Sequence, residues 1–258
     1  MNASKEILSV WRTFDDFPME TLTKAWFFHQ PGERKQRSVS LMKEHKQQYG
    51  ITGNCFDLAI WLADEFAQRG ITAYPVGDAI HTSDAHVAII AEDERANRFL
   101  CDLGDQWIQP VLIEQGHEEF TTEKLAGFFP AAQIQVMPRD EEVEILYHRP
   151  NGKTSRQTYQ TRAIGWDEFQ EAAERSQQNI YPKPLLEKRL LLGNEVTHWE
   201  FFDWRSFLST NDGLHKDSPL STVEEWVERI WEKTGYDQSF LRESLTIYKE
   251  KKFKKHDQ

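Results

Sequence analysis

A run of short, strand-like segments in the middle of the chain most constrains its fold. Between residues 71 and 164, segments with β-branched and aromatic residues alternate with turn residues, and Pro150-Asn151-Gly152 marks a hairpin turn. Short sequential strands of this kind are typical of a curled antiparallel sheet or a small barrel. We therefore predict a central antiparallel β-barrel or sheet. Its strand candidates include ITAYPVG, AHVAII, RFLCDL, WIQPVLI, QIQVM and EVEILYH.

Residues 1–70, before this central region, have the periodicity of helices. Apolar residues recur at three- and four-residue spacing around Leu22 and Trp26, a more polar stretch covers 37–48, and a broad apolar face covers 56–68. Gly70 then ends the last of these helices. We predict a helical first domain over residues 1–70 and a β-domain over residues 71–164.

Residues 165–258 return to helical patterns and are predicted to form a mostly helical lid domain. Helices are expected at 167–178 and 184–192, and the capping-box pattern of Ser221 and Glu224 starts another. The fold class is therefore α+β: a helical region, a central antiparallel β-barrel or sheet, and a C-terminal helical or α/β lid.

The charge balance argues against nucleic acid as a partner. Lys and Arg total 31 and Asp and Glu total 42, so the net charge is −11, and an acidic surface repels phosphates. The polar start of the chain lacks the pattern of a secretory signal, and no segment is apolar and long enough to span a membrane. With only two cysteines, we expect a reduced, cytoplasmic protein that does not bind a membrane.

Cys55 lies at the expected start of a helix, directly after the turn residues Gly53 and Asn54. The positive end of a helix dipole lowers a thiol pKa from roughly 8.5 to about 3.5–7.5 in favourable cases. The free N–H groups of the first turn are also suited to hold an oxyanion during acyl transfer. Cys55 is therefore a candidate nucleophile, although most free cysteines are simply small buried residues.

His86 and Asp102 lie on successive strand candidates joined by the polar loop EDERAN. Antiparallel pairing would place the imidazole beside the carboxylate, which then fixes the ring's tautomer and orientation. Each residue also has a structural interpretation, as a hydrogen-bonded histidine or as a turn aspartate before Gly104. The three residues together predict a nucleophile, a base and an orienting acid at Cys55, His86 and Asp102.

Other candidate sites in the sequence are weaker. His81 and His86, with Asp84 between them, lack the tight four-ligand spacing of structural zinc, so we predict no metal. The absence of a glycine-rich phosphate loop argues against a Rossmann or P-loop nucleotide site. The aromatic segment HWEFFDWRSFL, residues 198–208, is interpreted as core of the third region, with an acceptor pocket as the alternative.

These motifs together resemble the transglutaminase-like cysteine superfamily and, within it, the arylamine N-acetyltransferase family. The resemblance is carried by GNC at a helix start, by HVAII on a strand and by FLCDLG, in which Gly104 follows Asp102 by two residues. The segment WIQPVL is also similar to the family's next strand. The sequence departs from the family before Cys55, where Ile51-Thr52-Gly53-Asn54 replaces an Arg-Gly-Gly element.

The resemblance implies an activity as well as a fold. It implies acetyl-CoA as co-substrate, an acetyl thioester on Cys55, and transfer to a small-molecule arylamine or hydroxylamine in a ping-pong reaction. His86 would act as base and acid, Asp102 as its orienter, and Gly104 in binding acetyl-CoA. Two alternatives stay open: a transglutaminase-like amidase or peptidase, and a non-catalytic protein with a relic triad.

Overall fold

The computed structural model describes residues 2–32 and 35–254, with side chains to residue 251. Within these residues the chain forms helices and two antiparallel sheets. The helices are α1 Lys5–Trp11, α2 Leu22–His29, α3 Val39–Tyr49, α4 Cys55–Gln68, α5 Trp166–Gln178, α6 Val223–Thr234 and α7 Gln238–Lys254, and a 3-10 turn covers Arg12–Phe14.

The large sheet contains eight strands in the described residues, in the order β5-β4-β3-β2-β9-β8-β7-β6, with antiparallel neighbours. All of them lie within the predicted central region, so the predicted antiparallel sheet is confirmed. Strand β9 is the segment TSRQTYQ that follows the predicted hairpin turn, and β6 has no counterpart among the predicted strands. The strands are β2 Ala73–Asp78, β3 His86–Glu92, β4 Arg98–Cys101, β5 Val111–Leu112, β6 Leu125–Phe129, β7 Ala132–Arg139, β8 Glu142–His148 and β9 Thr154–Gln160.

Helix α4 packs against β2 and β3 of the large sheet and begins at a strong cap. Asn54 and Asp57 form a capping box, in which Asn54 Oδ1 accepts the N–H groups of Phe56 and Asp57, and Asp57 Oδ2 accepts the N–H of Asn54. The apolar face of α4 is buried through Leu58, Leu62 and Phe66. The start of this helix is therefore fixed both by its cap and by the sheet beneath it.

The small sheet has the order β1-β10-β11-β12-β13 and corrects the sequence analysis of the third region. The predicted helix at 184–192 is wrong, because LLEKRLLL pairs along its whole length with the next strand. A short segment that mixes apolar and charged residues is compatible with both the helical and the strand periodicity, and its pairing with β11 makes it a strand here. The strands are β1 Met19–Glu20, β10 Leu185–Leu192, β11 Glu195–Phe202, β12 Arg205–Thr210 and β13 Gly213–Lys216.

The third region therefore takes the α/β form of the predicted lid. The predicted helix at 167–178 is confirmed as α5, and the capping box of α6 lies one residue later than predicted, at Thr222 and Glu225. Trp199 and Phe201 are buried in a second core with α2, α6 and α7, as the core interpretation of the aromatic segment predicts, whereas Phe202 is exposed.

Segments far apart in sequence connect the first and third regions. Strand β1 pairs with β10, and the hydroxyl groups of Thr52 and Tyr236 lie 2.6 Å apart. The predicted domain boundaries at residues 70 and 164 remain predictions. Among the described residues, no helix combines the length and apolarity needed to cross a membrane; the cytoplasmic location stays a prediction.

Candidate active site

Cys55 is the first residue of α4 and is half-buried. Gly53, two residues earlier, has a φ of +143°, and a Cβ there would collide with Asp57 and Arg37. The chain can therefore turn into the helix at this point only because Gly53 has no side chain. The N–H groups of Phe56 and Asp57 already bond to Asn54. Asn54 therefore already accepts from two of the N–H groups that we expected to be free for an oxyanion, and that role stays a prediction.

His86 and Asp102 meet across neighbouring strands, as the sequence predicts. Residue 86 begins β3, residue 102 directly follows β4, and the register pairs Ile89 with Cys101. Asp102 is fully buried, and its Oδ2 lies 2.6 Å from His86 Nε2. With Nε2 directed to the acid, the other ring nitrogen, Nδ1, is the one available to a thiol.

Cys55, His86 and Asp102 converge around Gly104. A Cβ on Gly104 would lie 2.9 Å from Cys55 Cβ, 3.1 Å from Asp102 Oδ1 and 3.4 Å from His86 Cε1. Any larger residue at this position would push the three groups apart. The structure thus brings together all four residues that the sequence analysis selected, and it gives Gly104 a spacing role. Whether Gly104 also contacts acetyl-CoA stays a prediction.

Asp102 is held in place by two further donors. Tyr159, on β9, donates its hydroxyl to Asp102 Oδ2 at 2.5 Å, and the backbone N–H of Asp105 donates to Oδ1 at 2.9 Å. A buried carboxylate needs such hydrogen-bond donors to offset its loss of solvent. Asp102 therefore keeps a fixed orientation toward His86.

A second carboxylate, Asp105, lies near the same ring nitrogen of His86 that faces Asp102. Its Oδ1 is 3.8 Å from His86 Nε2, and Tyr147 donates a 2.5 Å hydrogen bond to its Oδ2. Burial raises the pKa of Asp105 to about 6, with Asp102 and Glu187 acting in the same direction and His86 opposing them. Asp105 consequently changes its charge near neutral pH, beside the imidazole.

The pKa values of the thiol and the imidazole are coupled. Burial lowers the pKa of His86, but Asp102, Asp105 and Cys55 outweigh it and raise the pKa well above the usual range. Burial raises the pKa of the Cys55 thiol, while His86, Lys24 and the Phe56 N–H act to lower it. The expected lowering by the helix dipole is therefore wrong as a net effect. Cys55 and His86 thus each stabilise the charged form of the other.

A second buried ion pair supports the first turn of α4. Asp57 Oδ2 lies 3.0 Å from Arg37, and neither side chain is exposed. Gln36 and Gln177 donate to Asp57 Oδ1 at 2.6 Å and 3.1 Å, and Arg37 donates to the carbonyl of Thr52 at 2.5 Å. Arg37 thus supplies a buried guanidinium to the segment before Cys55, where the local sequence has none.

Three groups at this site have the spacing to hold a metal ion. Ligand atoms of His86, Asp102 and Asp105 lie within 4.8 Å of one another. The same atoms are already bonded to each other or to Tyr147 and Tyr159. The three side chains are therefore better explained as an imidazole oriented by carboxylates than as the ligands of a metal ion, and we assign no metal to them.

Sequence reasoning missed several residues of the site. Tyr159 lies in the polar strand TSRQTYQ, and nothing in that pattern predicts that its side chain is buried. Asp105 follows a turn, where a carboxylate is common and does not suggest a site. Arg37 lies 18 residues before Cys55 in a polar helix start, so nothing local points to its burial. Strand alternation predicts which residues share a face with Tyr159. It does not predict that this face lies toward Asp102, because that depends on how β9 pairs with the neighbouring strands.

The fold is that of the arylamine N-acetyltransferases. The Mycobacterium marinum arylamine N-acetyltransferase solved in complex with CoA superposes with a TM-score of 0.71 at 11% identity, over 96% of this chain and 95% of that chain. The enzyme from Nocardia farcinica gives a TM-score of 0.71 at 13% identity, over 93% and 88%.

A third solved structure has a variant catalytic triad. The Bacillus cereus arylamine N-acetyltransferase, described as having a unique Cys-His-Glu triad, has a TM-score of 0.64 at 14% identity, over 92% of both chains. No protein-family model matches the sequence, and the curated proteins give no match. At this level of identity the likeness confirms the predicted fold, and the chemistry has to be argued from the residues themselves.

Proposed function

We propose that this protein is a cysteine acyltransferase that moves an acetyl group from acetyl-CoA, through a thioester on Cys55, to an amine. The observation that carries the proposal is the convergence of a half-buried thiol, an imidazole and a buried carboxylate around Gly104. The shared fold supports acetyl transfer as the chemistry, because the neighbours are arylamine N-acetyltransferases and one of them was solved with CoA. An arylamine or hydroxylamine is the acceptor that this likeness favours.

In the first half-reaction, the Cys55 thiol gives its proton to His86 and the sulfur attacks the acetyl carbonyl. The C–S bond to CoA breaks, and the imidazolium returns the proton to the departing CoA sulfur. Asp102 holds the ring in place and stabilises its charge, with Tyr159 fixing the carboxylate. The products are acetyl-Cys55 and free CoA.

In the second half-reaction, a neutral amine attacks the acetyl carbon of the thioester. His86 accepts the proton that the nitrogen loses, the C–S bond to Cys55 breaks, and the proton moves to the sulfur. The free thiol is restored and an amide is released. One imidazole therefore serves both halves, acting first as base and then as acid in each.

Intact-protein mass spectrometry after incubation with acetyl-CoA alone tests the proposal. We expect a mass gain of one acetyl group on Cys55 and an equivalent amount of free CoA before any amine is added. The Cys101→Ala variant is the matched control, because Cys101 is buried on the far side of its strand and should leave acetylation intact.

Two other results would identify the alternatives. Thiol-dependent amide cleavage without acetylation by acetyl-CoA would indicate an amidase or peptidase. Alkylation of Cys55 by iodoacetamide no faster than a model thiol, and unchanged in His86→Ala, would indicate a relic site.

A further inference from the structure

A cavity of about 340 Å³ lies between the turn that joins β8 to β9 and one face of the small sheet. His198 pairs directly with Ser209 across β11 and β12, so their side chains lie on the same face of the sheet. Glu200, two residues after His198, and its partner Phe207 lie on that face as well. His198 is 5% exposed and Ser209 is 9% exposed. The small sheet therefore gives the cavity a floor of polar side chains whose positions are fixed by strand pairing.

The turn between β8 and β9 adds two cations to this cavity. Arg149 and Lys153 both line it, and within the described ranges neither side chain forms an ion pair. The Arg149 guanidinium lies 5.9 Å from the centre of the Phe129 ring, a contact that restrains the side chain. A half-buried guanidinium without a carboxylate partner is suited to bind an anion.

A larger cavity of about 620 Å³ adjoins the first and shares Arg149 with it. Lys124 lines this second cavity, so three cations surround the two cavities. Two carboxylates face them: Glu195, whose Oε1 accepts a backbone N–H, and Glu200. The chain as a whole has a net charge of −11. A local group of cations on such an acidic protein is a place where anions would concentrate.

Glu200 is the carboxyl group of the smaller cavity, and its negative charge is weakened there. Burial raises the pKa of Glu200 to about 7, Glu187 acts in the same direction, and His198 and Arg149 oppose them. Near neutral pH the carboxyl group is therefore partly protonated, and the protonated form can donate a hydrogen bond to an anion. Arg149 and Lys153 thus keep positive charge that Glu200 does not neutralise.

We propose that the smaller cavity is an anion site that binds a phosphate group through Arg149, Lys153 and the Ser209 hydroxyl. A phosphate has enough acceptor oxygens for all three donors, and a guanidinium can bind two of them at once. Phe207 and Leu214 also line the cavity and provide apolar surface for the organic part of a phosphorylated small molecule. None of the described residues that line the cavity belongs to the catalytic triad, so the inference is independent of the acetyl transfer proposed above.

Isothermal titration calorimetry with inorganic phosphate and with AMP tests the inference. We expect AMP to bind once per chain, and Arg149→Met and Lys153→Met should each weaken its binding about tenfold, as for the loss of one charge-assisted hydrogen bond. Lys153 is exposed, so its substitution should leave folding intact even if Arg149→Met does not. Arg162→Met is the matched control, because it removes an exposed cation outside both cavities and should leave AMP binding unchanged.

Two sources of the phosphate group can be distinguished by competition. If CoA displaces AMP, and Lys153→Met raises KM for acetyl-CoA but not for acetyl-pantetheine, the site holds the phosphates of the acyl donor. If AMP binds equally well to the protein saturated with CoA, the ligand is a separate phosphorylated molecule.

Three results would overturn the inference: no binding of either probe, equal AMP affinity in the native protein and in both cavity variants, or an equal loss in Arg162→Met. If Cys55 is not acetylated by acetyl-CoA, the proposed function fails, while AMP binding and its loss in Lys153→Met still decide whether this site exists.

Discussion

Two buried carboxylates lie close to the first turn of α4, and each is paired with a basic side chain. Asp102 faces His86, whose ring can gain and lose a proton beside the half-buried Cys55. Asp57 faces the guanidinium of Arg37, and both side chains are sealed from solvent. A buried carboxylate paired with a basic side chain can therefore serve either catalysis or the anchoring of a helix start. The two uses differ in whether the basic side chain can lose its proton and in whether a nucleophile lies beside it.

This comparison separates activity from stability. Changes in the Asp102 pair should reduce acetyl transfer more than folding, whereas changes in the Asp57 pair should act first on folding. Four variants test that separation.

Asp102→Asn should have the largest effect. The amide keeps the shape of the side chain but stabilises the wrong tautomer of His86 and removes the charge that supports the imidazolium. We expect kcat for acetyl transfer to fall about 10³- to 10⁴-fold. Stopped-flow or quenched measurement of Cys55 acetylation checks this, and urea unfolding should show a much smaller change. A large loss of stability with retained acetylation would contradict our expectation that the Asp102 pair supports activity rather than folding.

Arg37→Met should reduce stability most. The substitution leaves Asp57 buried without its cation, and breaking a buried pair in this way costs about 3–5 kcal/mol. Urea unfolding followed by tryptophan fluorescence measures the change. Arg98→Met is the matched control, because its pair with Glu114 at 2.9 Å is about one-third exposed and should contribute less than about 1 kcal/mol. Equal effects of the two substitutions would contradict the anchoring role of Arg37.

Tyr159→Phe should have an intermediate effect on activity. It removes the hydroxyl that donates to Asp102 Oδ2 but leaves His86 in place. We expect about a tenfold lower kcat, as for the loss of one hydrogen bond to a charged group. Tyr147→Phe, which removes a donor to Asp105 instead, is the comparison variant. If only Tyr147→Phe lowered kcat, Asp105 rather than Asp102 would be the acid that matters most.

Asp105→Asn should have the smallest effect, a change in pH dependence. Burial lowers the pKa of His86, and Asp102 and Asp105 raise it, so the imidazolium persists to higher pH in the native protein. Removing the Asp105 charge lowers that pKa, and the acid limb of kcat/KM for acetyl-CoA, along which His86 loses the proton that prevents it from acting as a base, should move to lower pH. Below pH about 6, where Asp105 itself is protonated, the two proteins should converge. Identical pH profiles for the two proteins would show that Asp105 does not raise the pKa of His86.

The elements that local pattern determines could be predicted from the sequence. The start of α4 follows from Gly53, Asn54 and the apolar face, and the pairing of His86 with Asp102 follows from two adjacent strands and a short loop. These features depend on residues close together in the chain. The central sheet was predictable for the same reason.

The rest depended on pairing between distant segments. LLEKRLLL is compatible with a helix until β11 pairs with it, and the burial of Arg37 depends on Asp57 and Thr52, which lie in a later segment. The net rise in the Cys55 pKa follows from burial, which no spacing rule reports. Tertiary structure therefore determined the electrostatics of the site, while the sequence identified the side chains that meet there.

The contacts between the first and third regions have a consequence for how the protein is made. Thr52, just before the nucleophile, contacts Tyr236, and β1 pairs with a strand that is synthesised more than 160 residues later. On the ribosome, the segment that leads into Cys55 therefore lacks these partners until residues as late as Tyr236 have emerged. A chain released before that point would carry Cys55 on a segment that has not yet found its contacts in the third region.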